Sequence, residues 1–143
     1  MTTGLANAFG NYLLDKGYDV LNPISQFKFV KFSGTDSDSG PQVTAVVANT
    51  DVPCGIAQFH VTDTELSKGK GASVRTDGIS ECYVASTSGN GKAGQTAYLY
   101  ADGSCGDNTV AGGTIVGIFR SDFNAGGRAA VEVSSVISRY QHP

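Results

Sequence analysis

From residue 27 onward, apolar and polar positions follow a period of two. Phe27, Phe29 and Lys31 alternate with Lys28, Val30 and Phe32. One side is mostly aromatic and the other mixed, as expected of a strand covered on both faces. Further short runs of this kind span residues 43–47, 55–59, 72–76, 79–84, 96–100, 113–119 and 129–133. Between them stand turn signals: a polar stretch at 34–41, Asp51-Val52-Pro53, the glycines of 68–71, the polar loop 87–92, Asp102-Gly103, and Asn124 to Gly127. Asp77-Gly78 reads as a tight hairpin between the strands 72–76 and 79–84. Seven to nine short strands separated by turns predict an all-β domain, a small barrel or sandwich, over residues 27–143.

Residues 1–26 follow another pattern. Leu5, Phe9 and Leu13 fall at i, i+4 and i+8, one face of a helix, and Tyr12 and Leu14 complete an apolar cluster. Gly10 and Gly17 weaken any helix there, and Asn22-Pro23 ends it. The expectation is an N-terminal arm over 1–26, either a short helix within 4–16 or an extended segment. That arm either packs on its own domain or reaches another molecule.

Composition sharpens the strand reading. The 143 residues include 19 glycines and no tryptophan. Glycine is costly inside helices and useful in tight turns. Charged residues make up only 16% of the chain, with a net charge of -3 and no basic run. Binding of nucleic-acid phosphates therefore has no electrostatic basis. The opening residues do not resemble a secretory signal, and no apolar run reaches the length of a membrane span. Neither a membrane nor a nucleic acid is expected as a partner.

Candidate chemistry is sparse. Cys54, Cys82 and Cys105 are odd in number and widely spaced, which suggests reduced thiols. His60 and His142 are the only histidines. Cys54 and His60 would lie about 20 Å apart along an extended strand, too far for proton transfer. Asp36, Asp38 and Gly40 are similar to the start of a calcium loop, but Val47 stands where the bidentate glutamate belongs. Tyr98 and Tyr100 share one strand face and could stack on a sugar. No catalytic, metal or cofactor residue is assigned, and the chain is expected not to be an enzyme.

The order of several phrases carries a family resemblance. They are Asn49 to Ala57, Gly69 to Glu81, Lys92 to Tyr98, Tyr100 to Gly103, Ala111 to Ile118 and Gly127 to Val133. Together they cover about residues 42–134, and this segment resembles the head decoration or capsid cement proteins of tailed phages. Some members of that family carry a recombinase label, for which this chain has neither a P-loop nor a basic face. The resemblance implies a β-rich module on the outer capsid surface that stabilises the head lattice. Its partner would be the major capsid protein. A homo-oligomer is expected, with a trimer favoured, located in the virion after assembly in the host cytoplasm. Leu5, Phe9, Tyr12, Leu13 and Leu14 then become candidate subunit or capsid contacts. The rival expectation is a carbohydrate- or host-binding β-module of a phage fibre or tail.

Overall fold

A computed structural model describes residues 13–38 and 40–134. Nine strands form one continuous sheet: β1 (Leu14–Val20), β2 (Phe29–Ser37), β3 (Gly40–Ala45), β4 (Gly55–Ala57), β5 (Ala72–Tyr83), β6 (Thr96–Leu99), β7 (Cys105–Gly106), β8 (Ile115–Phe119) and β9 (Arg128–Val133). Their spatial order is β1-β3-β2-β4-β5-β9-β8-β6-β7, and β1 also pairs with β5. The chain is all-β, as expected, and its first five strands close into a barrel.

The sheet wraps twice, and β5 belongs to both turns. Its first half pairs with β1 and β4, and its second half, from Gly78 to Tyr83, pairs with β9. β9, β8, β6 and β7 continue the second turn as antiparallel neighbours. Just past β5, Val84 forms a single parallel bridge to Cys105 in β7, and the Ala85 N–H donates to the Cys105 carbonyl at 2.8 Å. The second lobe is thereby a nearly closed ring.

Each lobe has its own core. Val20, Ile24, Val30, Val43, Ala57, Val61, Ala72 and Val74 fill the barrel. Phe29, Ile56, Cys82, Leu99, Val116, Phe119, Phe123 and Val131 are among those filling the second lobe. Neighbouring residues on β2 and β4 split between the two: Val30 and Ala57 enter the barrel, while Phe29 and Ile56 enter the other core. Side chains of consecutive strand residues point to opposite faces. The β2–β4 wall is therefore buried on both sides, which explains the two-sided apolar pattern of residues 27–32.

Three expectations change. Asp77-Gly78 is not a hairpin. β5 runs through it, with Gly78 at φ 108°, a conformation that glycine adopts at little cost. Residues 34–41 are not a loop, since β2 extends to Ser37 and β3 resumes at Gly40 in a tight hairpin. A one-turn helix, α1 (Asp63–Ser67), stands where no helix was expected. Its capping box is complete: Thr62 Oγ1 accepts from the Glu65 N–H, and the Glu65 carboxylate accepts from the Thr62 N–H.

The expected arm divides. Residues 14–20 are a barrel strand, pairing with β3 in parallel and with β5 antiparallel, so the last three positions of the expected helix over 4–16 are strand. Residues 1–12 lie outside the described residues. β1 is pinned to β5 by Arg75, whose guanidinium grips Asp15 with two bonds, Nε to Oδ1 at 2.8 Å and a second nitrogen to Oδ2 at 3.0 Å. Arg75 also donates to the Ile79 carbonyl at 3.0 Å.

Two predictions follow from this architecture. Gly78→Ala should lower stability by about 1–2 kcal/mol, because an L side chain is disfavoured at positive φ; urea unfolding measures it. Bonding to Arg75 outweighs desolvation and holds the Asp15 carboxyl below its ordinary range. The stabilisation is then full above the ordinary carboxylate range and is lost as pH falls through the lowered value. Asp15→Asn should thus be less stable than the parent at neutral pH, and the gap should close in acid. A gap independent of pH in thermal melts would contradict this role.

Candidate functional site

Of the five candidate contact residues, Leu5, Phe9 and Tyr12 lie outside the described residues. Leu13 is exposed, and Leu14 is half-buried at the start of β1. The Leu14 carbonyl accepts from Thr76 Oγ1 at 3.2 Å, which places both leucines at the barrel rim beside the middle of β5.

The other candidate chemistry does not assemble. Tyr100 is buried, and its hydroxyl donates to the Asp107 carbonyl at 2.8 Å, so Tyr98 and Tyr100 form no stacking platform. Ser37, between Asp36 and Asp38, donates through its hydroxyl to Asp19, and the segment is a strand end rather than an ion loop. Among the described residues no cluster of three His, Cys, Asp or Glu side chains could hold a metal ion. His60 Nδ1 accepts from the Gln26 N–H at 3.1 Å. Burial pushes the Cys54 thiol up to about 12, far from a nucleophile at neutral pH. Cys82 and Cys105 are fully buried, and both thiols point at the Tyr83 carbonyl at 3.5 Å. Desolvation, followed by the neighbouring Cys105 thiol, raises Cys82 well above its usual value.

A groove of about 340 Å³ lies where the lobes meet, lined by Lys28, Tyr83, Val84, Ala85, Ser86, Asp102, Ser104 and Gly126. Buried Val84 and Ala85 give it an apolar floor. Tyr83, at the end of β5, is 38% exposed. The Arg128 guanidinium lies 5.9 Å from its ring centroid and 5.5 Å from that of Phe27. At the other side, Asp102 Oδ1 accepts from the Ser104 N–H at 3.0 Å and from the Ser104 hydroxyl. Lys28 Nζ stands 3.5 Å from Asp102 Oδ2. Burial alone would raise Asp102, but the Ser104 bonds and the Lys28 charge outweigh it and leave the carboxyl below its ordinary range.

The backbone at the groove is held by both lobes. Phe27 has φ 62°, unusual for an aromatic residue and costing about 1–3 kcal/mol. Its N–H donates to the Ala57 carbonyl at 2.8 Å, and its carbonyl accepts from the Tyr83 N–H at 3.0 Å. Two residues on, the Phe29 N–H donates to the Gly103 carbonyl at 2.8 Å. Lys28 is thus fixed between two clamped neighbours. Sequence reasoning took Asp102-Gly103 only as a turn and Tyr83 only as a strand residue. The available signal was an aromatic residue, Tyr83, two positions from the charged Glu81 and so on the same, outward face of the strand.

No protein-family model matches the chain, and no curated protein matches it. Solved structures do. The head fiber gp8.5 N base of bacteriophage phi29 superposes with a TM-score of 0.59 at 13% identity, covering 86% of this chain and 95% of that one. A chain in the capsid of Myoviridae phage XM1 gives a TM-score of 0.64 at 15% identity, covering 87% of this chain and 84% of that one.

The buried thiols generate a prediction. Because the thiolate is the reactive species and burial disfavours it, the native protein at pH 8 should react slowly with an aromatic disulfide reagent. Denatured protein should release all three thiols promptly. Rapid labelling of the native protein would show that Cys54, Cys82 or Cys105 is more accessible than its packing implies. Both lobes have the fold seen in two phage-head structures.

Proposed function

We propose that this protein is a structural component of a phage head that binds the outer capsid surface and strengthens the lattice as a decoration or cement protein. Its partner is the major capsid protein, and its working form is a homo-oligomer, a trimer being favoured. The observation that carries the reading is the extent of the fold likeness. It spans both lobes and nearly the whole of two chains described as parts of a phage head fiber base and a phage capsid. The phrase pattern over residues 42–134 supports the same conclusion independently. The function is interface burial repeated over many sites. A trimer engaging several capsomers would gain avidity, because contacts after the first are intramolecular.

The test is co-sedimentation with mature heads lacking the protein, with copy number read against the major capsid protein. Saturable binding at a fixed ratio is expected. Binding only to expanded heads would fit a lattice role, and failure to bind any head form would overturn it. The deletion that tests the contact residues must stop at residue 12, since removing residues 14–20 would take away the strand that closes the barrel. Loss of Leu5, Phe9 and Tyr12 should leave the melting temperature unchanged and weaken head binding or self-association at least tenfold, given about 1.5–3 kcal/mol for each buried side chain of this kind. Full-strength binding by the shortened chain would remove these residues from the interface.

A further inference from the structure

We propose that the groove between the lobes is a binding site for an uncharged pyranose ring, the terminal or internal unit of a glycan. This goes beyond attachment to the head and does not depend on it. A pyranose has one face of C–H groups and a rim of hydroxyls, and a site for it needs an aromatic surface beside fixed polar groups of both kinds.

The groove supplies each of these. Tyr83 offers the aromatic surface at one wall. Arg128 lies over that ring but does not line the groove, so the guanidinium braces the tyrosine without occupying the space beside it. Val84 and Ala85, both nearly buried, close its base. Opposite, Asp102 is held ionised, with Oδ1 taken by Ser104 and Oδ2 turned toward Lys28. That carboxylate can accept from sugar hydroxyls, and Lys28 and Ser86 can donate to them. The volume, about 340 Å³, is within the usual range for small-molecule sites and accommodates one ring.

Charge selects against the alternatives. The Lys28 ammonium is already balanced by Asp102 at 3.5 Å, so a phosphate or carboxylate ligand would meet no net positive field. An apolar ligand would leave the Asp102–Lys28 pair desolvated and unanswered. The site is also preorganised. The Lys28 backbone lies between the clamped Phe27 and Phe29, and the Asp102 carboxylate is held by its own turn, which lowers the ordering cost of the acceptor for binding.

The experiment is saturation-transfer NMR on the full chain with free glucose, galactose and N-acetylglucosamine, and with inorganic phosphate as the anionic probe. Backbone amide shifts of Ser86, Ser104 and Gly126 locate any binding. At least one of the three sugars should show saturation transfer and move those amides. Tyr83→Ala should weaken that binding at least about tenfold, and Asp102→Asn should weaken it too. Tyr83→Phe, which keeps the ring, should retain it, as should the distant Tyr98→Ala. Melting temperatures of all variants separate lost binding from lost folding, and Tyr83→Phe with Asp102→Asn still decide the matter if Tyr83→Ala unfolds. Amides unmoved by all three sugars at high millimolar concentration would overturn the proposal. So would binding that survives Tyr83→Ala and Asp102→Asn together, or phosphate moving the groove amides where the sugars do not.

Discussion

One strand serving two cores is the constraint on which this structure depends. β5 lines the barrel with its first half and the second lobe with its second half. Ala72 and Val74 are buried in the first core and Cys82 in the second, and Thr76 and Ser80 between them are buried too, all at even positions. The same side of one strand is therefore buried throughout, while the partners beside it change. Gly78 sits at that change, and its positive φ bends the strand from one ring into the next without cutting it. If β5 ended at Asp77, the barrel would keep its pairs to β1 and β4, but β9 would lose its partner on β5 and the second ring could not form on the first.

The shared strand also accounts for the groove. Two rings built from one sheet have to diverge somewhere, and the space between them opens beside the end of β5. Bonds from Phe27 to Ala57 and Tyr83, and from Phe29 to Gly103, tie β2 to both sides of that opening. Strain at Phe27 is tolerated because both of its backbone polar groups are satisfied there. The polar groups of the groove are thus positioned by the junction itself rather than by a loop free to move.

Much of this was legible in the sequence. Strands β4, β6, β8 and β9 match period-two runs to within two residues at either end, and β2 and β3 overlap theirs in part, because each has one or both faces in a core. The helical spacing of Leu5, Phe9 and Leu13 runs up to the residue before β1, so the expected helix over 4–16 overlaps only the first three residues of that strand. Its barrel role rests on long-range pairing to β3 and β5, which local spacing does not encode. The Asp77-Gly78 error could have been caught by parity. A two-residue hairpin turn places residues 76 and 79 on the same face, so burial would have passed to Ile79, Glu81 and Tyr83. Burial instead stays in phase at Ser80, Cys82 and Val84, as a continuous strand permits, and leaves Ile79 and Tyr83 on the outer side. The groove was illegible for a different reason: Lys28, Tyr83 and Asp102 come from three distant segments brought together by the double closure.

Closure also bears on how copies could associate. Strand edges with unpaired backbone groups are the usual route for sheets to join. Here β1 is engaged on both sides, by β3 and by β5. β7, at the end of the strand order, is only two residues long, and Cys105 there is already bridged to Val84. Edge-to-edge pairing through β1 or β7 is therefore a poor basis for an oligomer. Among the described residues, side-chain surfaces offer more for association than these edges do. The exposed apolar positions include Val47 and Val52 on the connection after β3, and Val110 on the one before β8. These connections are joined by the Thr114 N–H donating to the Asn49 carbonyl at 2.9 Å and the Thr114 hydroxyl donating to the Asp51 carbonyl at 2.8 Å. Loops fixed in this way present apolar side chains at less entropic cost than free loops would.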